Sequence, residues 1–298
     1  MPGRVGSLPK RLLGRMRAAL GALLRLLESR LPPAWACRIA SAKMRARGLA
    51  ERYAHHPQLE LYSVGDAERV HYFAHRQRGF GLYARGLSAR ARQIAASYLL
   101  ERIEFRAQDT VIDCGANYAD LYLYLRGRID ERNYITFEPG ADEHRAIRHN
   151  APQGQHAPLG LGDRCGESVF YLDSPNADSS FIRPRHYTAT RTVRTTTLDQ
   201  YIAEAGLQRV RLLKLEAEGF EPEILQGATQ ALKICEYLAI DGGFERGEAC
   251  EETLSTQLRL LFAAGYELLG ITPRPLRALL RNTAIAKSAD TATAAAAR

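Results

Sequence analysis

Apolar and polar positions along this chain follow two rhythms. Near the start, Leu12, Met16, Leu20, Leu23, Leu27 and Leu31 recur three or four residues apart, which sets them on one face of a predicted helix with arginines opposite. Pro32 and Pro33 are expected to end it. From Asp109 onward, compact apolar runs alternate with helical periods. "TVIDC", "YITFEP", "VRLLKLE" and "EYLAID" read as strands, and "AIRHNA", "EPEILQGATQALK" and "EETLSTQLRLLFAAG" as helices. That alternation predicts an α/β fold, a mostly parallel sheet with helices on its faces. Between the early and late units, "SVFYLD" and "RTVRTTTLDQYI" carry enough β-branched and aromatic residues for an inserted β-hairpin.

The pattern divides the chain into a basic amphipathic N-terminal helical extension (1–52), a helical, aromatic cap (53–108), an α/β domain (109–283) and a frayed tail (284–298). Within the cap, "SARARQIAASYLLERIEF" reads as a helix, while "HYFAHRQRGFGLYARG" sets Tyr72, Phe73, Phe80 and Tyr83 among Arg76, Arg78 and Arg85. Such aromatics either offer flat platforms to sugars or bases, with arginines as forked donors, or pack the cap onto the main domain.

Composition sharpens this picture. At 298 residues with 46% hydrophobic and 25% charged, the chain is long enough for a real core and unlike a disordered one. Five scattered cysteines without a CxxC pair are expected to be free thiols in a reducing cytoplasm. No window reaches the roughly 20 apolar residues of a membrane span. Arg11, Arg15, Arg17 and Arg25 interrupt any secretory-signal core, so the N-terminal segment is expected to be retained. Of the net charge of +8, the first 52 residues hold twelve Lys or Arg against two acids, a balance of +10 that leaves −2 for the rest. The basic character belongs to the extension. Its helix either lies on an anionic membrane surface or an acidic partner, or packs on its own domain with a solvated basic face.

The candidate chemistry centres on "DCGANYA", residues 113–119, between a strand and a helix. In open α/β sheets, ligands bind at the carboxyl ends of strands, where such a loop brings backbone close. A dinucleotide loop needs GxGxxG, whereas only Gly115 is present here, and Asp113 is a poor neighbour for phosphate. An acid there suits a cationic or hydroxylated ligand. S-adenosyl-L-methionine has an amino group, a sulfonium and no phosphate, and the loop residues Gly115, Ala116 and Asn117 would lie against it. "FEP" sets Glu138 and Pro139 at the next strand end, where a carboxylate can accept both ribose hydroxyls, and "LGLGD" sets Asp163 within expected reach of the adenine amino group. The histidines show no HxxxH or HExxH spacing, and there is neither a phosphate loop nor a nucleophile elbow.

The segments "DTVIDCGANYADLYLYL", "FEP", "GLGDRCGESVFYLD", "DSSF", "TTTLDQYI", "LLKLEAEGFEPEILQGA" and "EYLAIDGGFERGE" resemble, in this order over about residues 109–283, the FkbM-type S-adenosylmethionine-dependent methyltransferases. The resemblance implies a Rossmann-like class I methyltransferase sheet with helices on both faces, with the hairpin and the N-terminal extension added to it. It also implies methyl transfer to oxygen, often a sugar hydroxyl, and places Asp178, Ser179 and Ser180 near the active-site mouth. Two positions depart from the family: Ala119 stands where glycine is usual and is expected to crowd the methionine carboxylate, and Glu216 stands where Asp is common.

An alcohol is a weak nucleophile, so its proton must pass to a positioned group as the methyl arrives in line. Lys214, Glu216 and Glu218 share strand parity and face one way if the strand persists that far. Glu216 is expected to act as base or to orient the hydroxyl, Lys214 to hold that carboxylate, and Glu218 to bind sugar or cofactor; alternatively Lys214 and Glu216 organise the strand end. Asp241 could join Glu216 around a divalent cation, but no third ligand is evident and no metal is assigned. The expected enzyme is a cytoplasmic O-methyltransferase acting on a glycan, glycolipid precursor or glycosylated metabolite. Its basic helix would dock at the inner membrane face or on a glycosyltransferase. A nucleic-acid methyltransferase is the weaker alternative, because the body lacks positive excess and an NPPY-like motif. A non-catalytic scaffold for a glycosyltransferase is a third.

Overall fold

The computed structural model describes residues 30–173 and 179–286. Residues 12–29 of the expected amphipathic helix, Asp178, and the tail from 287 onward lie outside the described residues. Pro33 opens a helix, Pro33–Ala46, rather than only closing one. Proline is well placed at a first turn, where its missing N–H would have had no partner and its φ is already helical. Next comes an antiparallel sheet of β1 (Arg52–His56), β2 (Leu61–Gly65) and β3 (Val70–Phe73). The cap therefore begins with strands that the sequence reading missed. Their sequences, "RYAHH", "LYSVG" and "VHYF", carry neither a continuous apolar run nor a clean alternation. Helices Arg76–Leu82 and Leu87–Ser97 complete the cap.

The main domain is built from β4 (Val111–Cys114), β5 (Tyr134–Phe137), β6 (Gln155–Ala157), β10 (Val210–Leu215), β11 (Cys235–Asp241), β12 (Tyr266–Pro273) and β13 (Leu276–Asn282). They lie in the order β12-β13-β11-β10-β4-β5-β6, parallel except for β13, which runs antiparallel to both its neighbours. Every residue of β4, β5 and β11 is buried, as expected of strands covered on both faces. Alternate side chains feed two cores. Ile112, Ile135, Leu213 and Leu238 point to one face, and Val111, Tyr134, Leu212 and Leu279 to the other.

The expected hairpin is β8 (Gly166–Leu172) with β9 (Ala189–Thr196); β9 also pairs with the two-residue β7 (Gly160–Leu161). The expected helix over "EPEILQGATQALK" is split into Glu221–Gln226 and Ala231–Ile234. Gly227 lies between them, where a Cβ would fall 2.0 Å from the Gly162 carbonyl oxygen.

Cap and main domain share one core. Met44, Tyr53, Leu61, Phe73 and Tyr83 pack with Tyr118 and Ala146 of the main domain. Buried Asn150 stitches the seam: its side-chain oxygen accepts the Tyr72 N–H at 2.7 Å, and its Nδ2 donates to the carbonyls of Tyr72 and Tyr118, both at 2.8 Å. Asn150→Ala orphans these backbone groups at about 1–3 kcal/mol each. Chemical denaturation should therefore show a lower midpoint, and an unchanged midpoint would remove the seam's energetic role.

Candidate active site

The carboxyl ends of β4, β5 and β10 border a cleft with about 1260 Å³ of space, counting the part open to solvent. From β4 the chain crosses one way to β5 and β6 and the other way to β10 and β11, so the cleft sits at the topological switch point. The loop after β4 passes beneath the end of β10. Gly115 has φ +68° there, and a Cβ on it would lie 1.7 Å from the Glu216 carbonyl oxygen. Only glycine fits. Ala119 also adopts a left-handed φ of 58°, but its methyl is buried in the core with Leu121 and Leu125 and does not line the cleft. The expected crowding of a methionine carboxylate by Ala119 is thus corrected.

Lys214 and Asp113 are register partners on β10 and β4. The Lys214 Nζ, buried, lies 3.0 Å from Asp113 Oδ1 and 3.0 Å from Glu216 Oε2, and donates to the carbonyls of Gly115 at 2.8 Å and Cys114 at 3.2 Å. Burial alone would lower its pKa, but Asp113 and then Glu216 hold it above the usual lysine range. The other Asp113 oxygen accepts the Tyr134 hydroxyl at 2.5 Å. Asp113 Oδ1 is satisfied by the Lys214 ammonium, whereas Asn117 Oδ1 is buried without a hydrogen bond and the Tyr98 hydroxyl, beside Glu216, makes no well-formed one. Two buried polar atoms of the cleft wall thus have hydrogen-bonding capacity to spare.

Glu216 is gripped a second time by Arg277 from β13, which also donates to Asp241 Oδ1 at 2.8 Å and lies over the Tyr98 ring at 4.1 Å. Burial would raise the Glu216 pKa, but Lys214 and Arg277 outweigh it and hold the carboxyl below the ordinary range. A carboxylate held by two cations is a weak proton acceptor. Glu218 lines the same cleft with a left-handed φ of 50°, its carbonyl accepting the Ser180 hydroxyl at 2.8 Å. Ser179 lines the mouth. Among the described residues, no group of three His, Cys, Asp or Glu is arranged around a metal position.

Glu138 closes the other side. Its Oε2 accepts the Asn117 N–H at 2.9 Å and its Oε1 the Gly140 N–H at 2.8 Å, and Pro139 lines the wall beside it. Burial and then the neighbouring Glu143 push Glu138 up to about 8. Ala116 also lines this wall. Asp163 does not: it is exposed and outside the cleft, because Gly162 turns the chain against Phe220 and Gly227 before Asp163 is reached. Leu159, Leu161, Phe137, Phe170 and Phe181 make that end of the cleft apolar instead. The expectation for Asp163 is corrected accordingly.

Sequence reasoning missed the parts that arrive from a distance. Arg90, Gln93 and Tyr98 come from the cap and Arg277 from the far strand β13. Arg277 did leave a trace, a charge inside the apolar run "LRALLRN".

An open sheet in this order, with a glycine-bearing loop after its first strand and an acid ending the second, defines a Rossmann-like class I methyltransferase architecture. The Methyltransferase FkbM domain matches residues 113–268, just over half of the 298 residues, and the chain belongs to that family. Comparison with curated proteins gives no match. Among solved structures, the FkbM methyltransferase of Methylobacillus flagellatus KT is similar at 17% identity, with a TM-score of 0.41 over 61% of this chain and 45% of that one. This chain thus spans less than half of that protein's length. A TehB-like SAM-dependent methyltransferase of Corynebacterium glutamicum shares 12% identity with a TM-score of 0.38 over 66% of this chain and 96% of its own. Magnesium protoporphyrin IX methyltransferase of Synechocystis PCC 6803, solved with bound SAM, shares 10% with a TM-score of 0.38 over 69% and 81%.

Three outcomes follow from this geometry. Glu216→Gln leaves Lys214 and Arg277 underpaired, so denaturation should show a loss on the order of 3 kcal/mol; a neutral effect would contradict the double grip. A carboxyl raised from 4.5 to about 8 withdraws stability as pH climbs through that window, since the unfolded chain ionises first. Glu138→Gln should therefore lose less stability than the wild type between those pH values, read from melting curves. In Ala119→Gly, relief of about 1–2 kcal/mol of left-handed strain is offset by loss of a buried methyl worth about 0.8 kcal/mol and by added chain entropy. A change within about 1 kcal/mol is expected, and a larger loss would show that the methyl does more than fill space.

Proposed function

We propose that this protein transfers the methyl group of S-adenosyl-L-methionine to a hydroxyl of a glycan, glycolipid precursor or glycosylated metabolite. The observation that carries the reading is the pairing of Glu138, at the end of β5, with the Gly115–Asn117 loop at the end of β4, across a cleft whose wall keeps buried polar atoms unsatisfied. Adenosylmethionine, when bound, supplies an electrophilic methyl. Glu138 would accept the ribose hydroxyls, Asp113 and Asn117 would face the amino group, and the apolar end with Phe137 and Leu161 would receive the adenine. Lys214 and Arg277 fix Glu216 so that it orients the acceptor hydroxyl rather than taking its proton. Glu218, at the same wall, takes the proton.

Outside the cleft, the basic extension would bring the protein to an anionic membrane surface or to a glycosyltransferase where lipid-linked acceptors are made. No helix among the described residues is long and apolar enough to cross a membrane. Nucleic acid is disfavoured as acceptor by the near-neutral charge of the chain after residue 52.

Calorimetry with adenosylmethionine tests the reading directly. The wild type should bind, and Glu138→Ala should weaken binding by about tenfold or more, worth about 1.4 kcal/mol. Glu218→Gln should keep affinity and lose about 10²-fold or more in turnover, followed as the mass of one methyl added to an oligosaccharide acceptor. Failure of the wild-type protein to bind adenosylmethionine would refute the proposal.

A further inference from the structure

The family match begins at residue 113, yet the cleft is not complete without residues that precede it. Helix Leu87–Ser97 and its following residue Tyr98 present Arg90, Gln93, Ile94 and Tyr98 to the cleft, spacings of three and four that place them along one helical face. Resting on the adenosylmethionine reading, we propose that the cap is part of the cofactor site, with Arg90 and the Tyr98 hydroxyl binding the carboxylate of the ligand's amino-acid end.

The cleft has four cations to offer a carboxylate. Lys214 is taken up by Asp113, Glu216 and two carbonyls, and Arg277 by Glu216 and Asp241. Arg78 already interacts within the protein. Arg90 differs in how it is held. Its Nε and Nη2 both meet one oxygen of Asp120, at 2.7 and 2.6 Å, which leaves Nη1 without a hydrogen-bond or ion-pair partner among the described residues. Asp120 is itself anchored by His71 at 3.0 Å and the Tyr83 hydroxyl at 2.7 Å. The guanidinium is therefore oriented before any ligand arrives, and a preorganised fork suits a carboxylate.

The second observation is independent. Tyr98 is 1% exposed, and its hydroxyl, beside the Glu216 carboxylate, makes no well-formed hydrogen bond within the protein although it borders the cleft. A buried hydroxyl left without a partner costs stability unless a ligand satisfies it. Asn117 Oδ1, on the loop after β4, is a buried acceptor without a hydrogen-bond partner. Donors from the cap and an acceptor from the loop match a zwitterion, with carboxylate toward Arg90 and ammonium toward Asn117.

The test compares S-adenosylmethionine with its decarboxylated form by calorimetry on the full chain. Tyr98→Phe removes only the hydroxyl, and Arg90→Lys keeps a charge for Asp120 while losing the fork. Each variant should bind adenosylmethionine about tenfold more weakly than the wild type, with affinity for the decarboxylated ligand within about twofold. Equal weakening toward both ligands, or no weakening toward either, overturns the assignment. A wild-type protein that binds the decarboxylated ligand as tightly as adenosylmethionine overturns it too. Binding of neither ligand by the wild type overturns the adenosylmethionine reading, and this inference with it.

Discussion

One buried ammonium group organises the cleft. Lys214 lies between two parallel strand ends, and a cation removed from water is tolerated only where opposite charges and carbonyls surround it. Its partners are Asp113 across the register, Glu216 two residues on, and the carbonyls of Cys114 and Gly115 in the loop. The same contacts that keep Lys214 charged fix the path of the loop. Gly115 is then forced by geometry, since no side chain fits beneath the Glu216 carbonyl. Charge pairing, loop path and glycine requirement are three aspects of one constraint.

That constraint also limits what the acids can do. Asp113 is engaged by Lys214 and Tyr134, and Glu216 by Lys214 and Arg277, so neither is a free base. Depressing a carboxyl's pKa and using it to accept a proton are opposed demands. Hydroxyl orientation is compatible with a permanently ionised Glu216.

The cap is joined to the main domain by buried polar contacts as well as by shared apolar packing. Asn150 holds the backbone of β3, and Asp120 gathers His71, Tyr83 and Arg90 at the start of the helix that follows the loop. Because Asp120 belongs to the main domain and Arg90 borders the cleft, anchoring of the cap and shaping of the site use the same carboxylate. Buried polar groups of this kind specify geometry more than they add net stability.

The sequence by itself determined four adjoining strands of the sheet, β11, β10, β4 and β5, and much of its ligand-facing edge, but not β6, β12 or β13. Apolar runs such as "TVIDC" and "EYLAID" read as strands through their alternation with helical periods, and the lone glycine after the first of them marked the loop. Glu138 and Lys214 were legible because they end such runs, where the side chain's place follows from strand parity alone. The cap strands were not legible, because "RYAHH", "LYSVG" and "VHYF" carry neither a continuous apolar run nor a clean alternation, and Asp163 was misplaced because the turn at Gly162 depends on Phe220 and Gly227, distant in sequence. Only the tertiary structure brought Arg90, Tyr98 and Arg277 to the cleft, and only it showed Glu216 held between two cations. Local periodicity encodes what a residue does within its own element; which charges meet across elements is decided by packing.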